Sequence, residues 1–244
     1  MKVVGIIPAR YCSTRLPGKP LIDICGYPMV WWVYNRARNT RNIDQIYVAT
    51  DDVRIESECK KYHIPVIMTS NVHSTAANRL YEVSRVVDAD LYIQINGDEP
   101  LINTEAIAAA IPDEIFVERE FGTNIITEID NTAQLMDSSN IKVVFDAEMN
   151  AMYMSRNPIP YPYKSVNFEY YKHVGIIGYN KKMLEFYAKS KPGRFEVIEG
   201  IDTLRFIDYG KQLKLIYVPH CFSFSVDTEK DLEIVRERLI HEKL

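Results

Sequence analysis

Residues 2–20 read Lys-Val-Val-Gly-Ile-Ile-Pro-Ala-Arg-Tyr-Cys-Ser-Thr-Arg-Leu-Pro-Gly-Lys-Pro. The first six form a nearly continuous apolar run rich in Val and Ile, which is typical of a strand buried on both faces. The polar loop that follows, residues 8–20, therefore starts at the carboxyl end of a buried strand, the edge where open α/β sheets bind their ligands. This opening predicts a parallel sheet with a binding loop after its first strand.

Short strands and amphipathic helices alternate along the first half of the chain. The predicted elements are strands at 45–50, 65–68 and 91–96 and helices at 28–41, 53–62 and 76–87. Strands that alternate with helices of this length form parallel β-α-β units with right-handed crossovers. The predicted fold class is α/β, with a mostly parallel sheet and helices on both faces.

The alternation breaks after about residue 120, where strands follow one another with little helix between them. Three prolines at 158, 160 and 162 exclude regular structure in one stretch of this region. The predicted elements are strands at 121–127, 141–145, 151–155, 173–179 and 213–219 and helices at 181–188, 196–208 and 229–241. We therefore predict a core of residues 1–130 plus 181–244 and an inserted, smaller β-rich lobe of residues 131–180.

The composition excludes several classes of protein. The chain has 244 residues, with 29 basic and 33 acidic side chains and a net charge of −4, which argues against a general nucleic-acid-binding surface. No apolar run is long enough for a transmembrane helix or a signal sequence. The four cysteines form no C-x-x-C pair, which favours free thiols in a reducing cytoplasm. We expect a cytoplasmic protein that does not associate with membranes.

Positive charge is concentrated in the loop 8–20. Arg10, Arg15 and Lys19 all precede Asp23, the first acidic residue of the chain. Guanidinium groups bind phosphate oxygens in bidentate pairs and an ammonium adds a point charge, so the loop is a candidate polyphosphate site. It matches neither a Walker A loop nor G-x-G-x-x-G. The alternative is an exposed cationic loop without function.

Two aspartates are candidate metal ligands. Asp98 follows Gly97 at the end of a predicted strand, and Asp227 precedes the final predicted helix. Carboxylates suit Mg²⁺, which also takes phosphate oxygens and water. If both aspartates reach one edge of the sheet, they would hold one Mg²⁺ near a triphosphate and support nucleotidyl transfer. The alternative for each is a helix cap.

A histidine is the remaining candidate for the wall of the site. His173 lies in a predicted strand whose alternation is interrupted by two glycines, Gly175 and Gly178. Lys172 beside it and the glycines favour a site wall, and a purely structural histidine is the alternative.

Six motifs occur in order along nearly the whole chain. They are P-A-R-x-x-S-T-R-L-P-G-K-P-L at 8–21, G-D-E-P at 97–100, K-V-V-x-D at 142–146, S-R-x-P-I-P-Y at 155–161, K-H-V-G-I at 172–176 and V-D-T-x-x-D-L at 226–232. With this ordered set the sequence resembles the 3-deoxy-manno-octulosonate (Kdo) cytidylyltransferases, the enzymes that make CMP-Kdo. The resemblance implies a nucleotide-diphospho-sugar transferase-like fold, a nucleotide-binding sheet, and a homodimer supported by the smaller lobe.

The resemblance also implies a reaction and a set of site residues. The anomeric hydroxyl of Kdo or a closely related acidic sugar would attack the α-phosphorus of CTP and release pyrophosphate, with Mg²⁺ as cofactor. The catalytic residues would be Arg15, Lys19, Asp98 and Asp227, of which Asp98 and Asp227 would hold the metal. Nucleotide-binding residues would be Pro8, Ala9, Arg10, Ser13, Lys19, Thr75, Ala76, Arg79 and Gly97. Acceptor-binding residues would be Arg15, Asn96, His173, Ile177, Asp202 and Thr203.

The chain departs from the family pattern at the expected acceptor wall. Asn96 stands where the family has Gln, Ile177 where it has Tyr, and Asp202-Thr203 where it has Glu-Gln. A site that hydrogen-bonds a polar substrate discriminates strongly against partners that lack the matching group. These changes favour a different acidic acceptor, such as a modified ulosonic acid, a phosphonate or a phosphorylated small molecule. Retention of Kdo is the alternative.

Residues 73–79 also differ from the family pattern H-x-S-G-T-[DE]-R, because they read His-Ser-Thr-Ala-Ala-Asn-Arg. This leaves the choice of base open. A nucleotide-sugar glycosyltransferase remains a competing class, although the D-x-D triplet at 88–90 precedes a strand rather than following one. A catalytically silent nucleotide-binding protein is the third reading, and the intact cationic and acidic motif residues argue against it.

Overall fold

The computed structural model describes residues 1–12, 16–116, 118–165, 168–221 and 224–242. Its strands are β1 (Val3–Ala9), β2 (Asp23–Ile24), β3 (Tyr27–Pro28), β4 (Gln45–Thr50), β5 (Val66–Met68), β6 (Leu91–Ile95), β7 (Gly122–Glu128), β8 (Lys142–Phe145), β9 (Ala151–Ser155), β10 (Tyr171–Tyr179) and β11 (Lys214–Tyr217). Its helices are α1 (Met29–Ala37), α2 (Val53–Lys61), α3 (Ala76–Ser84), α4 (Thr104–Ala109), α5 (Thr132–Met136), α6 (Lys181–Lys189), α7 (Arg194–Glu199), α8 (Leu204–Asp208) and α9 (Glu229–Glu242). None of the described helices is both long and apolar enough to cross a membrane.

The main sheet has the strand order β11-β7-β10-β6-β1-β4-β5. Strand β1 pairs in parallel with β4 and β6, β4 pairs in parallel with β5, and β7 pairs in parallel with β11. Strand β10 is antiparallel to both of its neighbours, β6 and β7. The carboxyl ends of β1, β4 and β6 therefore share one edge with the first residues of β10. The predicted α/β class with a mostly parallel sheet is confirmed.

Apolar cores lie on both faces of the sheet. Ile7 packs with residues of α1, α2 and α4 on one face, and Ile6 packs with residues of α3 and α6 on the other. Successive side chains of a strand point to opposite faces, so the continuous apolar run of β1 supplies both cores. The central strand is thus buried from both sides, and its polar loop emerges at the shared edge.

A β-hairpin lies beside the main sheet. Strand β8 pairs with β9 and with the first residues of β10, Tyr171 and Lys172. The rest of β10 lies between β6 and β7. The region predicted as an inserted lobe, residues 131–180, therefore shares β10 with the central sheet.

The predicted helix at 196–208 is wrong, because two helices occupy this stretch. Helix α7 ends where Gly200 adopts a positive φ of 64°, a backbone conformation that glycine accepts most easily. Apolar residues at helical spacing continue through the break, so periodicity alone predicts one helix. The hairpin β2–β3 and the helices α4 and α5 were not predicted, since each is very short.

Candidate active site

A cavity of about 450 Å³ opens at the shared edge of the sheet. Four separate segments of the chain line it: Pro8, Ala9, Arg10, Cys12, Lys19, Pro20, Ala76, Arg79, Asn96, Gly97, Asp98 and Asp227. All of these except Cys12 and Pro20 were singled out in the sequence. Their position inside the loop 8–20 was the signal that could have found those two.

Lys19 connects the two candidate metal ligands. Its Nζ lies 2.9 Å from Asp98 Oδ2 and 2.9 Å from Asp227 Oδ1. Burial opposes the charge of Lys19, but the two carboxylates outweigh this effect, so the pKa of Lys19 is raised above its ordinary value. The ammonium is therefore held charged between the two carboxylates.

Backbone contacts bring these carboxylates to one point. The Val226 amide donates to the Asp98 carbonyl oxygen over 2.9 Å, which joins the segment before α9 to the turn after β6. A Cβ on Gly97 would lie 2.7 Å from the Pro8 carbonyl oxygen, so glycine is required for this close approach to β1. Asp98 and Asp227, far apart in sequence, therefore lie side by side.

The residues that cap helix α9 are different from the residue that contacts Lys19 in the cavity. Thr228 Oγ1 accepts from the Asp231 amide over 3.3 Å, and the Asp231 carboxylate accepts in turn from the amide of Thr228 over 2.8 Å. These reciprocal bonds are the capping pattern of a helix start. The carboxylate of Asp227 contacts Lys19 in the cavity instead.

The loop before α3 closes another side of the cavity. Arg10 Nη1 donates to the Ser74 carbonyl oxygen over 3.2 Å, which ties this loop to β1. Thr75 caps α3 by accepting from the Asn78 amide over 3.3 Å, and Ala76 lines the cavity. The first turn of α3 therefore borders the cavity, and helix N-termini favour anions.

Arg79 forms part of the cavity wall although its side chain is 1% exposed. Its Nη1 donates to Thr69 Oγ1, and its Nη2 lies 3.3 Å from Asp51 Oδ1 without an aligned hydrogen bond. Burial lowers the pKa of Arg79, and Asp51 offsets this only in part. The buried guanidinium thus keeps unused hydrogen-bonding capacity beside the cavity.

Asn96 continues the wall next to Asp98. Its Nδ2 donates to Glu99 Oε1 over 3.2 Å, and its Oδ1 accepts from Gln94 Nε2 over 3.3 Å. A Cβ on Gly175 would overlap the Asn96 amide and lie 2.7 Å from Glu99 Oε1. The glycine on β10 therefore makes room for this amide. Glu99 was not predicted from the sequence, although the G-D-E-P motif contains it.

His173 lies on the same strand and is held as a neutral ring. Its Nδ1 lies 2.7 Å from Asn124 Oδ1, while Asn124 Nδ2 donates to the Val174 and Ile176 carbonyl oxygens. Since this leaves Asn124 Oδ1 as an acceptor, His173 carries its proton on Nδ1 and an acceptor lone pair on Nε2. Burial lowers the pKa of His173 to about 4.

This lowered pKa predicts a pH dependence of stability. The unfolded state binds a proton at His173 near pH 6.5, whereas the folded state does so only near pH 4. The free energy of unfolding should therefore fall as the pH drops from about 6.5 to 4. Urea titrations at pH 7 and pH 5 should show a smaller loss for His173→Gln than for the wild type. An equal loss in both proteins would remove His173 as the cause.

The remaining predicted acceptor residues lie at different depths. Ile177 and Thr203 are each 3% exposed, Ile177 in an apolar core and Thr203 with its Oγ1 donating to Met154 Sδ over 3.2 Å. Neither residue lines the cavity, and His173 and Asp202 are not among its lining residues either. Asp202 is exposed, and its pKa is raised because the surrounding chain displaces water and Glu196 adds negative charge. The positive charge of Arg10 acts in the opposite direction. Ser13 and Arg15 lie outside the described residues.

A second cavity of about 540 Å³ meets the first at Asp227, which lines both. Lys172 lines it together with hydroxyl-bearing side chains such as Ser139, Ser225 and Thr228. On its wall, ligand atoms of Glu128, Asp130 and His220 come within 4.8 Å of one another. Two of the motifs contribute to it, K-H-V-G-I through Lys172 and V-D-T-x-x-D-L through Asp227, Thr228 and Asp231, but the sequence did not predict a second cavity.

The donor set of the first cavity fits a magnesium ion. Two carboxylates from different loops converge there and already hold one cation, the Lys19 ammonium. Mg²⁺ binds through one or two carboxylates and completes its shell with water and phosphate oxygens. The cavity beside the carboxylates has room for such ligands.

Comparisons with known proteins identify similar chains. The family model described as cytidylyltransferase matches residues 4–218. The 3-deoxy-manno-octulosonate cytidylyltransferase of Fusobacterium nucleatum is 41% identical over 238 residues, 96% of each chain. The 8-amino-3,8-dideoxy-manno-octulosonate cytidylyltransferase of Shewanella pealeana is 38% identical over 98% of this chain and 99% of that one. A solved structure of CMP:2-keto-3-deoxy-manno-octonic acid synthetase with CTP superposes with a TM-score of 0.92 at 36% identity, covering 99% of this chain and 100% of that one.

Proposed function

We propose that this chain, which belongs to the 3-deoxy-manno-octulosonate cytidylyltransferase family, transfers CMP from CTP to Kdo or a closely related acidic sugar. The protein is a CTP-dependent nucleotidyltransferase. The observation that carries the proposal is the convergence of Lys19, Asp98 and Asp227 in one cavity with Arg10. Cationic side chains that can bind a triphosphate and carboxylates that can bind a metal therefore lie together. They lie at the edge where α/β sheets bind their ligands.

The reaction we propose is a direct displacement at phosphorus. The anomeric oxygen of the sugar forms a bond to the α-phosphorus of CTP, the bond from that phosphorus to the bridging oxygen breaks, and pyrophosphate leaves. The hydroxyl proton passes to solvent. Arg10 and Lys19 hold the phosphates and offset their charge, and Arg15 contributes to both substrates. Positioning and charge neutralisation supply most of the catalysis in such transfers, so no covalent enzyme intermediate is required.

We assign the magnesium site to Asp98 and Asp227. When bound there, Mg²⁺ supplies charge neutralisation for the triphosphate and the leaving pyrophosphate. Pro8, Ala9, Thr75, Ala76, Arg79 and Gly97 surround the rest of the nucleotide in this proposal, with Ser13 contributing from the loop. The unused hydrogen-bonding capacity of Arg79 supports its role beside the base.

We place the sugar acid against Asn96, His173 and Asp202. The neutral ring of His173 offers an acceptor at Nε2, and Asn96 offers an amide, which suits a polyhydroxylated ligand. In this proposal Ile177 and Thr203, which are each 3% exposed, act from the interior rather than by direct contact with the sugar. One relative is named for Kdo and another for its 8-amino analogue. Both acids are therefore candidate acceptors.

We further propose a homodimer that forms at an apolar patch where the lobe of residues 131–180 meets α7. Met152 on β9 and Phe195, Val197 and Ile198 on α7 are exposed apolar side chains, and the rings of Tyr153 and Phe195 join the two elements at 5.4 Å. Exposed apolar patches of this kind mark interaction sites. Free thiols at all four cysteines support our proposal of a cytoplasmic location.

Charge placed in this patch should separate the dimer. The double variant Val197→Asp, Ile198→Asp puts two carboxylates where apolar contact is expected, so its molar mass by light scattering should fall to that of one 28.3 kDa chain. Val86→Asp, at an equally exposed valine outside this patch, should leave the mass unchanged. A wild-type protein that is monomeric at micromolar concentration would refute the dimer.

A pyrophosphate-release screen tests the function. CTP, ATP, GTP and UTP are each combined with Kdo, 8-amino-3,8-dideoxy-manno-octulosonate, a phosphonate and a phosphorylated small molecule, with Mg²⁺ present. We expect release with CTP and an octulosonate acid, and none with CTP alone. No release in any combination would overturn the proposal, and release only with the phosphonate or the phosphorylated molecule would replace the acceptor.

A further inference from the structure

We propose that Lys19 and Mg²⁺ compete for the carboxylates of Asp98 and Asp227, so that CTP opens the metal site by drawing the Lys19 ammonium onto its phosphates. This inference rests on the proposed function, since it takes CTP and Mg²⁺ as the ligands. It adds a coupling role for a residue that otherwise only binds phosphate.

The competition follows from where the ammonium lies. Nζ is 2.9 Å from an oxygen of each aspartate, so it stands at the point where the two carboxylates converge. The side chains of Lys19, Asp98 and Asp227 are only 13%, 32% and 21% exposed. Water therefore screens these charges less than it would on an open surface.

A metal on the same oxygens would be close to the ammonium. Mg²⁺ binds carboxylate oxygens at about 2.0–2.1 Å. Because each bound oxygen is 2.9 Å from Nζ, a metal on either of them would stand at most about 5 Å from Nζ. A divalent and a monovalent cation at that distance repel each other strongly in a partly buried site. Withdrawal of the ammonium from the carboxylates would relieve this repulsion.

Backbone hydrogen bonds support the turn that carries Lys19, so we expect its side chain to move rather than its backbone. Gly18, with a φ of 69°, donates to the Tyr11 carbonyl oxygen over 3.0 Å, and Leu21 donates to the Gly18 carbonyl oxygen over 2.8 Å. This turn holds the Lys19 backbone in place, whereas the lysine side chain is a flexible four-carbon stem. The same cavity contains Arg10, so a triphosphate gathered by Arg10 lies within reach of the ammonium.

Binding of the two ligands is therefore cooperative. Phosphate oxygens offer Lys19 a second set of anionic partners, and its departure restores the full negative charge of Asp98 and Asp227. By linkage, CTP tightens the metal by the same factor as the metal tightens CTP. Without nucleotide, Lys19 itself neutralises the carboxylates and keeps metal affinity low.

Manganese binding without nucleotide tests this competition. Free Mn²⁺ is measured by electron paramagnetic resonance in titrations of the wild type, Lys19→Met and Lys19→Gln. We expect both variants to bind Mn²⁺ roughly tenfold or more tightly than the wild type, because a charge in contact with the ligands has been removed. Adding CTP, without an acceptor, should then tighten Mn²⁺ by a smaller factor in the variants than in the wild type.

A matched control separates direct competition from general charge. Arg10→Met removes one positive charge from the same cavity, but Arg10 bonds to the Ser74 carbonyl oxygen rather than to the carboxylates. Its Mn²⁺ affinity without nucleotide should change by no more than about twofold. Equal tightening in Arg10→Met, unchanged affinity in both Lys19 variants, or no Mn²⁺ binding to variants that are folded by circular dichroism would overturn the proposal. Pyrophosphate release by the wild type tests the function separately, so the two failures are distinguishable.

Discussion

Replacing Asp227 by Asn is expected to reduce kcat by about a hundredfold to a thousandfold or more, with the fold and the dimer intact. Asn keeps the shape of the side chain but removes the negative charge that faces Lys19 and Asp98. A group that stabilises charge at a transferring phosphate supplies a factor of this size. Pyrophosphate release with saturating CTP and acceptor measures the loss.

An exposed aspartate provides the control for this variant. Asp88 is 90% exposed, 3.3 Å from Lys181 Nζ and outside both cavities. Asp88→Asn removes the same charge and should leave kcat within about twofold. Near-normal turnover of Asp227→Asn would take Asp227 out of the catalytic site.

Among the variants described, replacing Arg205 by Met is expected to cause the largest decrease in the free energy of unfolding. Arg205 Nε and Nη2 donate to the two oxygens of Glu196 over 2.7 and 2.5 Å, and both side chains are less than 10% exposed. Removing one partner of a buried ion pair leaves an uncompensated charge, which costs about 3–5 kcal/mol. Urea denaturation followed by circular dichroism measures this free energy of unfolding.

Two further variants identify the cause of that loss. Arg205→Met combined with Glu196→Gln no longer buries an unpaired charge, so it should be more stable than Arg205→Met alone. Lys189→Met breaks the exposed pair of Lys189 with Glu185 and should cost no more than about 0.5 kcal/mol. If Arg205→Met costs no more than Lys189→Met, the buried pair does not stabilise the α7–α8 segment.

Much of the sheet was predictable because its strands are short apolar runs with clear ends. Strands β4 and β9 match their predicted bounds, and the strand that starts at Val3 was placed to within two residues. Helix ends were less predictable. A positive φ at Gly200 breaks a stretch whose apolar spacing remains helical, and only the folded backbone reveals which glycine adopts that conformation.

The parts of the site that could be predicted are those in which a single sequence motif supplies a single function. The loop 8–20 and the two aspartates could be assigned to one edge, because the carboxyl ends of parallel strands share it. The bridge formed by Lys19 between Asp98 and Asp227 could not be predicted, since it depends on side chains from three distant segments. The depth of the substituted family positions could not be predicted either: Ile177 and Thr203 are each 3% exposed.

In the proposed reaction, the α-phosphorus of CTP becomes joined to the anomeric oxygen of an octulosonate acid. Mass spectrometry of a reaction of the wild type with CTP, Mg²⁺ and Kdo or its 8-amino analogue, with the anomeric oxygen labelled as ¹⁸O, tests this most directly. The proposed mechanism predicts CMP-sugar and pyrophosphate in equal amounts, with the label retained in the CMP-sugar. Absence of a CMP-sugar with either acid would contradict the mechanism, as would loss of the label from the CMP-sugar while the unreacted acid retains it.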